Sequence, residues 1–320
     1  MILAGDVGGT KVRLVLCDEK GKNCREERFA SRDFADFTSL LKKFLSEGEK
    51  IHSACLGIAG PVLKRQCKAT NLPWEIIADD LEKNCGIARV DLINDLEANA
   101  WGIKELKPEE FFIVNEGKQL EGNQALISAG TGLGEAGLFW DGKIHRPFAC
   151  EGGHCNFGPT NPEEIDLLLY LKSRYEHVSY ERVISGKGLY NLYQFLIDTK
   201  REKENPVTKK LMESQDPPKV ITEQASKGVC PVCVRACHLF VSLYGSESGN
   251  AALKFLAVGG VFLGGGIAPH LVSFFKEGPF MKAFLNKGRF APLLSQIPVK
   301  IVLNDKAALI GAFKYAMDRE

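Results

Sequence analysis

The sequence predicts an α/β protein built from two related lobes, and three observations predict it. The first is an internal repeat. LAGDVGGTKVRLVLCDEKGK, from Leu3, and LISAGTGLGEAGLFWDGK, from Leu126, share one plan: an apolar run, a turn rich in Gly and Thr, a second apolar run, and a turn opening with Asp. Laid together without gaps, Gly9 falls on Gly132 and Asp18 on Asp141. The second is the chain after each copy, where strand-like runs alternate with helical or irregular chain, the pattern of a layered α/β arrangement. The third is composition: 320 residues, 45% hydrophobic and 25% charged, suffice for two cores or one large one.

Taken in order, both copies read as β-hairpins whose first turn is built from backbone rather than side chains. After the first come a strand at His52–Ala59 and a second at Val90–Ile93. That strand ends abruptly in Asn94-Asp95, where a helical pattern begins. Asn94 is a good N-cap, and Glu97 three residues on completes a capping box. Neither accounts for Asp95, a charge at the lip of a strand. After the second copy come helical patterns near Glu163–Arg174 and Cys230–Tyr244, then strands at Val261–Leu263 and Val299–Leu303. Lys200–Pro218, charged and holding Pro206, Pro217 and Pro218, reads as a mobile surface loop. Phe255–Phe275 carries no formal charge over a membrane-spanning length. Gly259, Gly260, Gly264, Gly265, Gly266 and Pro269 interrupt it, so a strand, a glycine turn and a helix fit better.

A formal net charge of +1 gives no electrostatic case for nucleic acid or an anionic membrane. MILAGDVGG lacks the basic flank and long apolar run of a signal peptide. Ten cysteines at no framework spacing read as reduced cytosolic thiols. CPVCVRACH resembles a metal cluster, yet Cys230, Cys233 and Cys237 fall at i, i+3 and i+7 and Tyr244 continues the stripe. That is one buried helix face, and core packing is the better reading than zinc.

The glycine turns point to phosphate. A turn with free backbone N–H groups makes an anion nest, and glycine allows close approach. Asp6 in the first turn corresponds to Ala129 in the second, so only one lobe carries a carboxylate, suited to Mg²⁺ directly or through water. Gly264-Gly265-Gly266 before a helix adds a third anion-binding element. Gly132, Gly134 and Gly137 match G-x-G-x-x-G, but they run into the extended pattern GLFWDGK instead of opening a helix. A dinucleotide site is therefore set aside.

DVGGT at Asp6–Thr10, LGIAGPV at Leu56–Val62, NLPW at Asn71–Trp74, IND at Ile93–Asp95, GTGLG at Gly130–Gly134, EGGH at Glu151–His154, ERVISG at Glu181–Gly186 and GGGIAP at Gly264–Pro269 occur in order. Together they resemble the bacterial-type ATP-dependent glucokinases of the hexokinase and actin-like ATPase superfamily, over nearly the whole chain. The resemblance implies a two-lobed, ribonuclease H-like fold. Each lobe would be a five-stranded mixed β-sheet flanked by helices, with the active site in the interlobe cleft and the lobes closing on sugar. The small lobe would span 1–106, completed by a final helix in 306–320, and the large lobe 107–305.

The resemblance also implies residue roles. Asp95 would be the catalytic base, taking the proton of the glucose 6-hydroxyl as that oxygen attacks the γ-phosphate of ATP. Asn94, Asp95, Glu151, His154 and Glu181 would contact the sugar. Gly5, Asp6, Gly8, Gly9 and Thr10, with Gly130, Thr131 and Gly132, would surround the phosphates, and Gly265 and Gly266 would lie near the adenosine. Mg²⁺ would ride with ATP near Asp6, held through water. A cytoplasmic, glycolytic homodimer is implied as well. The zinc motif C-x-C-G-x-x-G-C of the related ROK sugar kinases and repressors does not follow His154, which argues against that group. Lys11 stands where many bacterial glucokinases have Asn and reads as solvated. A kinase of another hexose, mannose or fructose, and a catalytically silent sugar sensor are the competing readings. Asp95 argues against the sensor, because only the chemistry demands that carboxylate.

Overall fold

The computed structural model describes residues 1–46, 48–69 and 72–318. Asn71 of the NLPW motif lies outside them. The chain separates into two compact units, one of residues 1–108 and 304–320, the other of 109–303.

The first unit opens with the expected hairpin, β1 (Ile2–Val7) and β2 (Lys11–Cys17), followed by β3 (Arg25–Ala30) and α1 (Phe37–Phe44). Then come β4 (Ser53–Ile58), a small meander of β5 (Val62–Leu63), β6 (Gln66–Lys68) and β7 (Glu75–Ile77), α2 (Ala78–Cys85), β8 (Val90–Asn94) and α3 (Asp95–Ile103). The main sheet has the order β3-β2-β1-β4-β8. β4 runs parallel to both β1 and β8, while β2 is antiparallel to β1 and β3. Side-chain alternation sorts β1 between two cores. Leu3 and Val7 join α1 and α2 on one face; Ile2 and Ala4 join Cys55, Ile93, Ala98 and the closing helix Ala307–Met317 on the other. The charged sequence REERFA suits β3 to its place at the sheet edge.

One departure arises in this unit. Cys17 and Cys24 form a disulfide, against the expectation of free thiols throughout. The register explains their meeting. Leu16 pairs with Arg25 across β2 and β3, so Cys17 and Cys24 face each other on the next rung, Cα atoms 4.2 Å apart. The closing helix also crosses α3 through glycine. A Cβ on Gly311 would sit 1.8 Å from the Ala98 carbonyl oxygen, and one on Gly102 would sit 1.9 Å from that of Ala307.

The second unit contains β9 (Phe111–Asn115), β10 (Gln124–Ala129), β11 (Leu133–Trp140) and β12 (His145–Cys150). After them come α4 (Pro162–Lys172), α5 (Gly186–Asp198), α6 (Pro206–Met212), α7 (Pro217–Ser226) and α8 (Pro231–Lys254). β13 (Gly260–Gly264), α9 (Val272–Lys276), α10 (Pro279–Leu285), α11 (Ala291–Leu294) and β14 (Val299–Val302) complete it; the closing helix of the first unit is then α12. The sheet order is β12-β11-β10-β13-β14-β9. Where the resemblance implies five strands, this sheet carries six among the described residues, because FFIVN pairs antiparallel with β14 as β9.

Residues 200–218 are not the continuous loop expected. They hold α6 and the start of α7, whose prolines occupy the first helical turn, where a missing N–H costs nothing. Asn205 caps α6 by accepting from the amides of Val207 and Thr208. Cys230, Cys233, Cys237 and Tyr244 are fully buried along α8, in the core of this unit. Phe255–Phe275 resolves into β13, a glycine turn and short helices. Among the described residues no single helix is long and apolar enough to cross a membrane.

Candidate active site

In the first unit the candidate residues gather at one edge of the sheet. Val7 pairs with Ile58, and Ile58 with Asn94, so the three parallel strands β1, β4 and β8 finish in register. The carboxyl ends of parallel strands are where α/β sheets present ligand-binding groups. Just beyond lie Gly8-Gly9-Thr10, Gly60 and Asn94-Asp95.

Asn94 ends β8 and caps α3. Its Oδ1 accepts from the Leu96 amide at 2.9 Å, and its Nδ2 donates to the Gly60 carbonyl at 3.1 Å. Asp95 is the first residue of α3 and half-buried. Its Oδ1 accepts from the same Leu96 amide at 3.0 Å. One carboxylate oxygen is thereby fixed by the start of a helix, an environment that favours negative charge.

The Gly8–Thr10 turn is pinned from outside. Gly8 N–H donates to the Lys11 carbonyl, the fully buried Ser31 hydroxyl donates to the Gly8 carbonyl at 2.9 Å, and Ser31 N–H donates to the Thr10 carbonyl. Asp6 precedes this turn. Burial raises its carboxyl pKa, Arg13 opposes the rise, and Asp305 adds to it. Arg13 is itself engaged by the Asp305 carboxylate. Gly5 lies elsewhere than expected: it is buried inside β1, and a Cβ there would meet Leu56 at 2.6 Å and Leu14 at 2.9 Å. Its place is one of packing.

In the second unit a pocket of about 640 Å³ opens at the carboxyl ends of β10 and β13. Gly130, Thr131 and Gly266 line it. Gly132 and Gly265 adjoin these residues in sequence and are not part of the lining. Gly265 has φ +81°, and a Cβ there would lie 2.2 Å from the Ala129 carbonyl, so only glycine fits this turn. The remaining wall was not legible in the sequence. Gly186 and Lys187 bring the N-terminus of α5, Pro218, Lys219 and Thr222 come from α7, and Ile267 and His270 follow the glycine turn. Gly186 N–H donates to the Gly130 carbonyl at 2.8 Å, tying α5 to the hairpin turn, and the buried Ser185 caps the helix through the Gly188 amide. Lys187 at the N-terminus of α5 suits phosphates, Lys219 lies 3.9 Å from Glu223, which lines the pocket with Asp216, and Leu189, Pro218 and Ile267 offer an apolar wall for a base.

Glu151 and His154 sit on the turn after β12, both exposed; Glu181 sits on the short helical turn Tyr180–Arg182, half-buried. The structure brings these turns together. Asn156 and Ser179 form a β-bridge, Tyr180 N–H donates to the Cys155 carbonyl, and Phe157 N–H to that of Val178. Glu181 Oε2 accepts from the Leu133 amide at 3.1 Å and packs on Gly132. Glu181 thus links the Glu151–His154 turn to the hairpin that borders the pocket. A metal-holding group of three or more His, Cys, Asp or Glu residues is absent among the described residues.

Comparison with known proteins gives a consistent result. The glucokinase family model matches residues 3–319. The glucokinase of Nostoc sp. is 39% identical, over 98% of this chain and 97% of its own. The crystal structure of a glucokinase from an Antarctic psychrotroph is 29% identical and superposes with a TM-score of 0.83, covering 99% of this chain and 98% of that one. The Balamuthia mandrillaris glucokinase, solved in complex with glucose, superposes with a TM-score of 0.85 at 21% identity, over 98% of this chain and 93% of that one, a likeness of fold.

Proposed function

This chain belongs to the glucokinase family, and from that premise we propose how its residues carry the γ-phosphate of ATP to the 6-hydroxyl of glucose. The enzyme is an ATP-dependent glucose kinase on an actin-like ATPase fold. One observation carries the mechanism: a half-buried carboxylate, Asp95, stands where a parallel strand hands over to a helix, with one oxygen fixed by the Leu96 amide.

Asp95 accepts the proton of the glucose 6-hydroxyl. That oxygen forms a bond to the γ-phosphorus as the bond from phosphorus to the bridging oxygen of ADP breaks. The products are glucose 6-phosphate and ADP. Phosphoryl transfer asks the protein mainly for positioning and charge stabilisation, and a carboxylate within hydrogen-bond reach orients the nucleophile. Asn94, Glu151, His154 and Glu181 hold the sugar hydroxyls, which both donate and accept. Gly9, Thr10, Thr131 and Gly132 hold the phosphates through backbone amides, the Gly8 and Gly130 amides being engaged within their own turns by the Lys11 and Gly132 carbonyls, and the pocket beside Gly266 takes the adenosine.

Mg²⁺ neutralises charge on the phosphate oxygens when bound with ATP. The donor set suits that arrangement. Asp6 is a single half-buried carboxylate beside a glycine turn, fit to meet through water an ion that arrives on the nucleotide.

Asp95→Asn tests the reading. Turnover should fall by roughly 10²–10⁴-fold while glucose affinity stays within a few-fold. Unchanged turnover would sink the assignment. A coupled assay over glucose, mannose, fructose, galactose and N-acetylglucosamine should show selective turnover of glucose. A cytoplasmic homodimer is also proposed, on the family resemblance. The Cys17–Cys24 bond pulls against that compartment, where thiols are kept reduced. Light scattering of the purified enzyme tests the dimer, and thiol counting on freshly lysed cells tests the bond.

A further inference from the structure

Beneath the turn bearing Glu151 and His154 lie two carboxylates that phosphoryl transfer does not use. Glu135, on β11, is 1% exposed, and Glu247, on α8, is 0% exposed. Glu135 Oε1 is buried without a conventional hydrogen-bond donor, and the Glu135 carboxyl group interacts with the Glu247 carboxylate. Two ionised carboxylates do not share a buried site, because each raises the cost of ionising the other. A single proton between them supplies the missing donor, since a protonated carboxyl donates to its neighbour.

The surroundings leave room for one charge. From α8, Lys254 Nζ lies 3.3 Å from Glu247 Oε1, and the Tyr244 hydroxyl is occupied with the Ile127 carbonyl. Tyr180 faces Glu247 from its helical turn and Cys150 faces Glu135 from β12, while Cys155 and Glu151 lie toward Cys150 and Cys155 also toward Lys254. Lys287, after α10, lies toward Glu247 and Glu164, with its pKa lowered by burial. Lys254 therefore pairs with Glu247, and Glu135 carries the proton. Burial, with the Glu247 charge, pushes Glu135 up to about 7.

The pair touches both sugar-side turns. Glu135 Oε2 packs against Gly152, where a Cβ would sit 2.0 Å away. Asn250 Nδ2 donates to Glu247 Oε2 at 2.8 Å and to the Tyr180 hydroxyl at 2.9 Å, one residue before Glu181.

We propose that Glu135 and Glu247 are a positioning pair: the proton they share holds the Gly152–His154 and Tyr180–Arg182 turns in the pose that binds glucose, and its loss releases that pose. The inference rests on Glu151, His154 and Glu181 being the sugar contacts. Above neutral pH the binding-competent fraction falls, so the KM for glucose rises by up to roughly tenfold per pH unit. The KM for ATP does not share this limb.

Glu135→Gln replaces the proton with a fixed amide donor, and its glucose KM is expected to stay flat across the same pH range. A Glu135→Gln enzyme that keeps the wild-type limb overturns the proposal. Glu151→Gln and His154→Ala separate the two levels of the argument. If they leave the glucose KM unchanged, the sugar-contact reading has failed. If they raise it while Glu135→Gln keeps the limb, the pair alone has failed. Where Glu135→Gln does not fold, Glu247→Gln presents the same donor from α8. Calorimetry of glucose binding to the wild-type enzyme, in buffers of different ionisation enthalpy, reads the proton without any variant. Proton uptake just above neutral pH is expected, and its absence overturns the proposal.

Discussion

At the start of α3 one backbone N–H serves two side chains, because the Leu96 amide reaches both Asn94 Oδ1 and Asp95 Oδ1. Asn94→Ala should therefore cost about 1 kcal/mol of stability through the lost cap. It should also lower turnover, since Asp95 then carries the helix end alone; urea unfolding and a kinase assay measure the two effects separately. Glu135 makes a second prediction at this scale. Its folded carboxyl titrates at about 7 against an ordinary 4.5. Between those values the folded state keeps a proton that the unfolded chain has shed. This contribution to stability is whole below the window and declines as pH rises through it, by at most about 1.4 kcal/mol per pH unit. Glu135→Gln should flatten that slope in urea unfolding followed across the window; an unchanged slope would assign it to other groups. Single residues differed in how openly the sequence displayed them. Asp95 stood out because cap chemistry explained its neighbours and left it over. Ser31 and Lys187 did not, because Ser31 reaches the Gly8 turn from 23 residues away and Lys187 reaches the pocket only once α5 has docked on Gly130.

Elements were legible where their signal was local. The two hairpins, the β8–α3 junction and the buried cysteine stripe of α8 follow from patterns within a few residues. The segment 200–218 misled because proline marks loops and helix starts alike, and which it marks depends on what the following turn packs against. Strand β9 went unseen because FFIVN is short and gains its partner, β14, from far along the chain. The crossing of α3 and α12 is also a product of tertiary packing. Backbone meets backbone there, so neither Gly102 nor Gly311 has room for a methyl group. Gly311→Ala should destabilise the first unit by about 1–3 kcal/mol through overpacking, read as a lowered thermal midpoint. An unshifted midpoint would show that the helices separate without strain.

For the whole molecule, the repeat announced two related halves, but their connectivity differs in a way composition does not record. The second unit draws its core from one continuous stretch, residues 125–301. The first sets Ile2, Ala4, Cys55 and Ile93 against Ala308, Leu309, Ala312 and Tyr315. A fragment of residues 109–303 should accordingly unfold cooperatively by circular dichroism, whereas residues 1–108 alone should not until a peptide of 304–318 is added. Cooperative unfolding of 1–108 by itself would contradict this. The same connectivity sets an order of events during synthesis. Residues 1–108 emerge from the ribosome with one face of their sheet covered only by α3, and all of 109–303 must be made before α12 can complete the cover. At roughly 5–20 residues per second that interval lasts on the order of ten seconds or more. Throughout it, the apolar face of β1, β4 and β8 is a substrate for chaperones, and the half of the enzyme translated later is the half that can finish folding first.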